Sequence, residues 1–161
     1  MSNKTAVSIH VRIDADKAER FLKGMSRRSS DLKPVFRWAQ RELEKANAEN
    51  FTASGLPSGG WAPLSASYSA WKLSHFPGDP IMVRGNGKLF RSLADLNNSV
   101  KVINDMSAEF GTSVEYAKFH QYGTTKMPAR KLVFEPVGFS MELGRQIEQH
   151  IINDNMQFGS N

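Results

Sequence analysis

A chain of 161 residues, 40% hydrophobic with 12 glycines, has the length and apolar content of one domain with one core, which excludes a disordered chain. With no cysteine it excludes a disulfide scaffold, a cysteine nucleophile and a cysteine-ligated metal. The net charge of +5 is spread as +4 in residues 1–50, +2 in 51–100 and −1 in 101–161, a modest excess that favours an ordinary solvated face over a dedicated nucleic-acid site.

From the N-terminus, Thr5–Ile13 alternates, with Val7, Ile9, Val11 and Ile13 on one face and Ser8, His10 and Arg12 on the other. This pattern predicts a half-buried strand. No apolar signal-peptide core precedes it, and no apolar run in the chain can span a bilayer. A soluble protein of a cytoplasm-like compartment, with no membrane partner, is expected. Asp14 offers a cap for a helix over Ala18, Phe21, Leu22 and Met25, broken at Arg27-Arg28-Ser29-Ser30. Asp31 caps the next helix, with Pro34 in its first turn. Its stripe of Phe36, Ala39, Leu43, Ala46 and Asn50 carries it to Asn50 or Phe51, making it the longest element.

Residues 52–87 change character, being rich in glycine, proline and serine around Trp61, Tyr68, Trp71 and Phe76. Long irregular stretches inside compact domains are usually functional or mobile. Two helical turns from Ser65 to Lys72 fit within it, with Ser65 as the cap, and Pro77-Gly78-Asp79-Pro80 and Gly85-Asn86-Gly87 are turns. Lys88–Leu96 reads as a short helix. Ser99–Asn104 and Met106–Thr112 read as a hairpin joined at Asn104-Asp105. Val114–Tyr122 reads as a short helix stopped by Gly123, Lys131–Phe134 as a strand, and Phe139–Ile152 as an amphipathic C-terminal helix. Residues 153–161 form a polar tail that frays or docks on a partner. The fold class is α+β: a small, mostly antiparallel sheet of about four strands packed against a long helix and a C-terminal helix, in one domain over 1–161.

Enzyme signatures fail. His10, His75, His120 and His150 are scattered, with no i, i+4 pair. Gly85-Asn86-Gly87-Lys88-Leu89 lacks the first glycine and the hydroxyl of a phosphate-cradling loop, and no Gly-x-Ser-x-Gly elbow exists. His120 with Glu115 is the best acid/base pair on offer, yet five residues on a helix separate them poorly for a shared face; a histidine among Tyr116, Phe119 and Tyr122 suits packing better. Asp14 and Asp16 suit helix capping better than metal binding. No catalytic residue, cofactor or metal is expected.

The remaining unusual feature is the aromatic arm. Trp61, Tyr68, Trp71 and Phe76 are costly to leave in water, at about 25 cal/mol for each Å² of apolar surface. Either Trp61 and Leu64 pin the loop to its own core, or the aromatics bury against another chain, as anchors of protein–protein contacts do. On the second reading the contact residues are Trp61, Pro63, Leu64, Tyr68, Trp71 and Phe76, and excising 55–83 would leave a folded monomer. Stacking of single-stranded nucleic acid is a weaker third reading, with only Lys72 and Arg84 close by.

An ordered series of segments is similar to the phage virion morphogenesis family, the small tail-completion proteins of Mu-like and P2-like tailed phages, related to head–tail joining proteins. The series starts at Asn50-Phe51 and continues with Gly55-Leu56-Pro57-Ser58-Gly59-Gly60-Trp61-Ala62-Pro63-Leu64-Ser65 and Lys72. It resumes at Gly85–Leu89 with Arg91-Ser92-Leu93, then Gly111-Thr112. Tyr116-Ala117, His120-Gln121-Tyr122-Gly123-Thr124 and Met127-Pro128-Ala129-Arg130 complete it. Arg84-Gly85-Asn86-Gly87 and Arg130-Lys131-Leu132 depart from the family's usual Thr-Gly-x-Leu and Arg-Pro-Phe.

The resemblance implies a structural virion protein rather than an enzyme, acting in tail completion or head–tail (neck) joining. It implies a homo-oligomeric ring, a hexamer among the options, in contact with the tail tube, tail terminator or neck/connector proteins. Its expected place is the virion tail or neck, and the host cytoplasm during assembly. In such a ring Arg130 pairs at a subunit boundary or within its own chain, and Lys72, Arg84, Lys88 and Arg91 line a channel that touches DNA without reading sequence. The contrasting reading is a basic nucleic-acid-binding module, suggested by the pI of about 9.6.

Overall fold

The structure is a computed structural model, and it describes residues 15–95 and 100–152. Among these residues the helices are α1 (Ala15–Ser29), α2 (Lys33–Thr52), α3 (Ala66–His75), α4 (Lys88–Ala94), α5 (Ala117–Tyr122) and α6 (Phe139–Ile152), and the strands are β1 (Val100–Ile103) and β2 (Ala108–Gly111). The predicted strand Thr5–Ile13, the Asp14 cap and the tail 153–161 lie outside the described residues.

Helix α1 runs a turn past Met25. Arg27 and Arg28 stand in its last turn, where cations meet the negative end of the helix dipole, and the Ser29 and Ser30 hydroxyls donate to the Ser26 carbonyl. The polar run that reads as a break is a helix terminus. Before α2, the Asp31 side chain accepts from the Lys33 N–H at 3.2 Å, and Pro34 occupies the first turn. The Leu32 N–H donates to the Asp105 carbonyl at 2.8 Å, and Lys33 pairs with the Asp105 carboxylate. Asp105 belongs to the β-hairpin turn, so the hairpin tip fixes where α2 begins. The strands are antiparallel, with Val102 opposite Glu109. The Asn104 N–H closes the turn on the Ser107 carbonyl at 2.8 Å, which puts the turn on Asp105–Met106, one residue later than expected.

Helix α2 is the spine. Helix α4 packs on one side of it and α6 on another, α6 also lying against α1. Trp38 of α2 stacks on Phe139 at 6.0 Å between ring centroids. The far end of α6 is tied down by Arg28 Nε, which donates to the Ile151 carbonyl at 2.9 Å, and by His150 at 2.7 Å from the Asp31 carbonyl. The core is Phe51, Trp61, Leu89, Leu93, Val114, Ala117 and Leu132. Phe51 stands edge-on to Trp61 and Phe90 at 5.3 and 5.4 Å, an arrangement aromatic quadrupoles favour.

Lys131–Phe134, expected as a strand, is not one. Gln121 Oε1 accepts from the Leu132 and Val133 N–H groups at 2.8 and 2.9 Å, and Gln121 Nε2 donates to the Val133 carbonyl at 2.9 Å. The Lys131 carbonyl accepts from Trp61 Nε1 at 2.8 Å, Asn50 Nδ2 at 3.1 Å and Ser58 Oγ at 3.2 Å. Side chains satisfy the backbone groups a ladder would use, so the segment needs no neighbouring strand. The architecture is α+β: helices around a two-stranded antiparallel sheet whose β1 touches α2. The described residues thus hold fewer strands than the alternation suggests.

Candidate partner-binding surface

The aromatic segment after α2 is built into the fold at both ends, and its middle carries rings that face outward. At the near end, a turn of 3₁₀ helix, Leu56–Ser58, lies between two glycines of positive φ. Gly55, at φ 82°, lets the indole of Trp61 lie directly on its backbone; a Cβ there would sit 2.2 Å from the ring. Trp61 is 7% exposed, and its N–H reaches the Lys131 carbonyl described above. Arg130 is buried beside it, with Nε donating to the Ala62 carbonyl and Nη2 to the Pro63 carbonyl, both at 2.9 Å. Of the alternatives for Trp61 and Arg130, the chain realises the internal one: the indole fills its own core, and the guanidinium ties 62–63 to 130. Pro63 itself is exposed and Leu64 half-buried.

At the far end, Ile81, Met82 and Val83 pack against the core. Lys72, on the inner side of α3, is buried and donates to the Pro80 and Ile81 carbonyls. Burial lowers the pKa of its ammonium from the ordinary lysine value, and Asp79 opposes that shift. Lys72 therefore latches the returning chain to α3, its ammonium turned inward. With Trp61 in the core and 81–83 packed on it, residues 55–83 contribute to the core at both ends, which argues against excising them without loss of the fold.

Between these anchors, α3 begins where Ser65 Oγ accepts from the Tyr68 N–H at 3.4 Å, as its sequence predicts, and runs on to His75. Its outer face carries a ladder of rings. Tyr68 stacks on Trp71 at 5.5 Å, Trp71 on His75 at 4.7 Å, and Phe76 meets Trp71 edge-on at 5.8 Å. Tyr68 is 38% and Trp71 40% exposed, and Leu73 on the same helix is 69% exposed. Phe76 is half-buried. His75 also approaches the Trp71 carbonyl at 2.8 Å, which holds the imidazole on the indole.

Cations continue this surface. Arg84, Lys88 and Arg91 are exposed, Lys88 and Arg91 one turn apart on α4, and none of the three is in an ion pair among the described residues. Arg84 adjoins the ladder, because the neighbouring Gly85 lies against Phe76, its Cβ position 3.4 Å from the ring.

The acid/base pair suggested by sequence does not assemble. His120 stands edge-on to Tyr116 at 6.1 Å, and among the described residues no hydrogen bond links it to Glu115, which is exposed. Burial, and then the nearby Arg130 charge, lower the His120 pKa from its usual value. Asp16 lies in the first turn of α1, and among the described residues no group of three or more acidic, histidine or cysteine side chains could hold a metal. Two polar residues escaped notice as organisers: Asn47, whose amide donates to the Leu93 carbonyl at the end of α4 at 3.1 Å, and Gln121. The signal for Asn47 was its place beside an apolar helical stripe, where an amide must find a backbone partner.

No helix among the described residues is long and apolar enough to cross a membrane. No curated protein and no solved structure matches the chain significantly. A model of the phage virion morphogenesis family matches residues 13–155, a span covering the anchored loop, the ring ladder and the Lys131 node, and the chain belongs to that family, whose members serve in building the phage particle.

Proposed function

We propose that this protein is a ring-forming structural component of a tailed-phage particle. It acts in tail completion or head–tail (neck) joining, with the outer face of α3 resting on another virion subunit. One observation carries the reading. Tyr68, Trp71 and His75 form a stacked ladder beside Phe76, with Tyr68 and Trp71 still 38% and 40% exposed, on a segment whose ends are both anchored in the core. Aromatic anchors held in place before contact lose little conformational freedom on binding. Repeated copies that join one face to a different face of the next close into a ring when the rotation between them allows it. The partners fitting this role are further copies of the chain and the tail tube, tail terminator or neck proteins.

The test is a phage carrying Tyr68→Ser with Trp71→Ser. The protein is expected to fold as before, while tails and heads accumulate unjoined and infectious titre falls by orders of magnitude. Joined, infectious particles at normal yield would overturn the reading. A second reading, non-specific contact with DNA, draws support from the exposed trio Arg84, Lys88 and Arg91 beside the rings. It requires binding whose log affinity falls with log salt at a slope of about −3 for three phosphate contacts.

A further inference from the structure

We infer that the next copy in the ring receives the ring ladder and its cations in the groove between α2 and α6, which carries the opposite charge on an apolar floor; this rests on the ring reading above. The groove is open, about 270 Å³ in volume. Its floor is Trp38 stacked on Phe139, and Val137 at its edge is fully exposed, at 103% of its reference surface. Glu42, Glu49 and Glu142 line it against the single cation Lys45. Glu142 is shared with Arg145 at 2.8 and 2.5 Å, while Glu42 and Glu49 have no ion pair among the described residues. The groove is therefore both apolar and net negative, as the α3–α4 edge is both aromatic and net positive.

The placement of the two surfaces suits a head-to-tail contact. Asn47 and Phe51 face α4 and the core. Trp38, Glu42, Lys45 and Glu49 form one stripe about half a helical turn round α2 from them. The donor edge and the receiving groove thus lie on opposite sides of one rigid helix, each free to engage a different neighbour. A two-fold dimer through either surface alone would set like charges against each other, which interfaces avoid. A head-to-tail contact pairs Lys88 and Arg91 with Glu42 and Glu49 and lays the rings toward Trp38 and Val137.

The experiment uses the full chain in two charge-reversed forms, Glu42→Lys with Glu49→Lys and Lys88→Glu with Arg91→Glu, studied alone and mixed by sedimentation. Each alone is expected to associate about tenfold or more weakly than the unaltered protein. The mixture is expected to recover, because every junction in an alternating ring again joins unlike charges. Association of either variant at full strength, or no recovery on mixing, overturns the groove assignment while leaving the ring reading intact. If Lys88→Glu with Arg91→Glu abolishes DNA binding and leaves self-association unchanged, the cationic edge belongs to DNA and the assignment falls. An unaltered protein that stays monomeric at every concentration and on purified tails removes the ring reading itself.

Discussion

Lys131 gives a single carbonyl oxygen to three donors, the indole of Trp61, the amide of Asn50 and the hydroxyl of Ser58. Its geometry depends on the absence of a Cβ at Gly55. Gly55→Ala would force a methyl group into the indole while straining a backbone held at φ 82°, and is expected to cost about 3 kcal/mol or more in urea unfolding. His120 supplies a pH dependence. Its ring Nδ1 is buried without a partner among the described residues, and burial together with Arg130 lowers its pKa below the usual histidine value. The unfolded chain therefore binds this proton more readily than the folded one. The stability that neutral His120 permits is complete above the unfolded pKa of about 6.5 and is lost as pH falls from there through the lower folded value. Urea midpoints measured at pH 7.5 and 5.5 should show the drop, and His120→Gln should flatten it. A midpoint that moves equally in both proteins would assign the effect elsewhere. The Glu142–Arg145 pair acts in a separate range, since hydrogen bonds from Arg145 and Gln146 hold that carboxyl at about 2.

Element by element, the helices were the legible part. Apolar spacing marked α2, α4 and α6, and Ser65 marked the start of α3, because capping and periodicity are local and the residues that decide them are neighbours. The hairpin was equally plain, though its turn moved by one residue when Asp105 became the seat of Leu32 and Lys33. What sequence could not yield was the segment after Arg130. Its short apolar run looks like a strand, and only the folded chain brings Gln121, eleven residues earlier, to take up its N–H groups. Gln121→Leu, nearly the same size, should leave the Leu132 N–H without its partner, while water reaches that of the exposed Val133, and lower stability by about 1–3 kcal/mol, read as a shift in thermal midpoint. An unchanged midpoint would mean that water serves those groups equally well. The same limit applied to the candidate surface. Tyr68 and Trp71 lie on the short helix that Ser65 announces, whereas His75 joins them only because the helix runs past Lys72. The inward turn of Trp61 and Arg130 depends on partners 67 to 70 residues away, and that of Lys72 on the chain returning at Pro80 and Ile81.

For the whole molecule, these anchors decide which lesions inform about assembly. Excising 55–83 removes Trp61 and the packing of Ile81, Met82 and Val83, so the product should fail to fold, seen as a lost cooperative transition and aggregation. Tyr68→Ser with Trp71→Ser leaves the core and both anchors intact and should keep a cooperative native transition, lowered by about 1–3 kcal/mol for the lost ring contacts. A cooperative, soluble excision product would show that the core closes without its indole. The Lys131 node has a further consequence for the order of events on the ribosome. Trp61 and Asn50 wait for an acceptor 70 and 81 residues downstream. Until that acceptor leaves the exit tunnel, the Trp61 indole N–H and the Asn50 amide have no carbonyl to bind and the core stays open. Products terminated before residue 131 are therefore expected to lack this closure, so that the last third of the chain, and not the aromatic segment itself, decides when the core is complete.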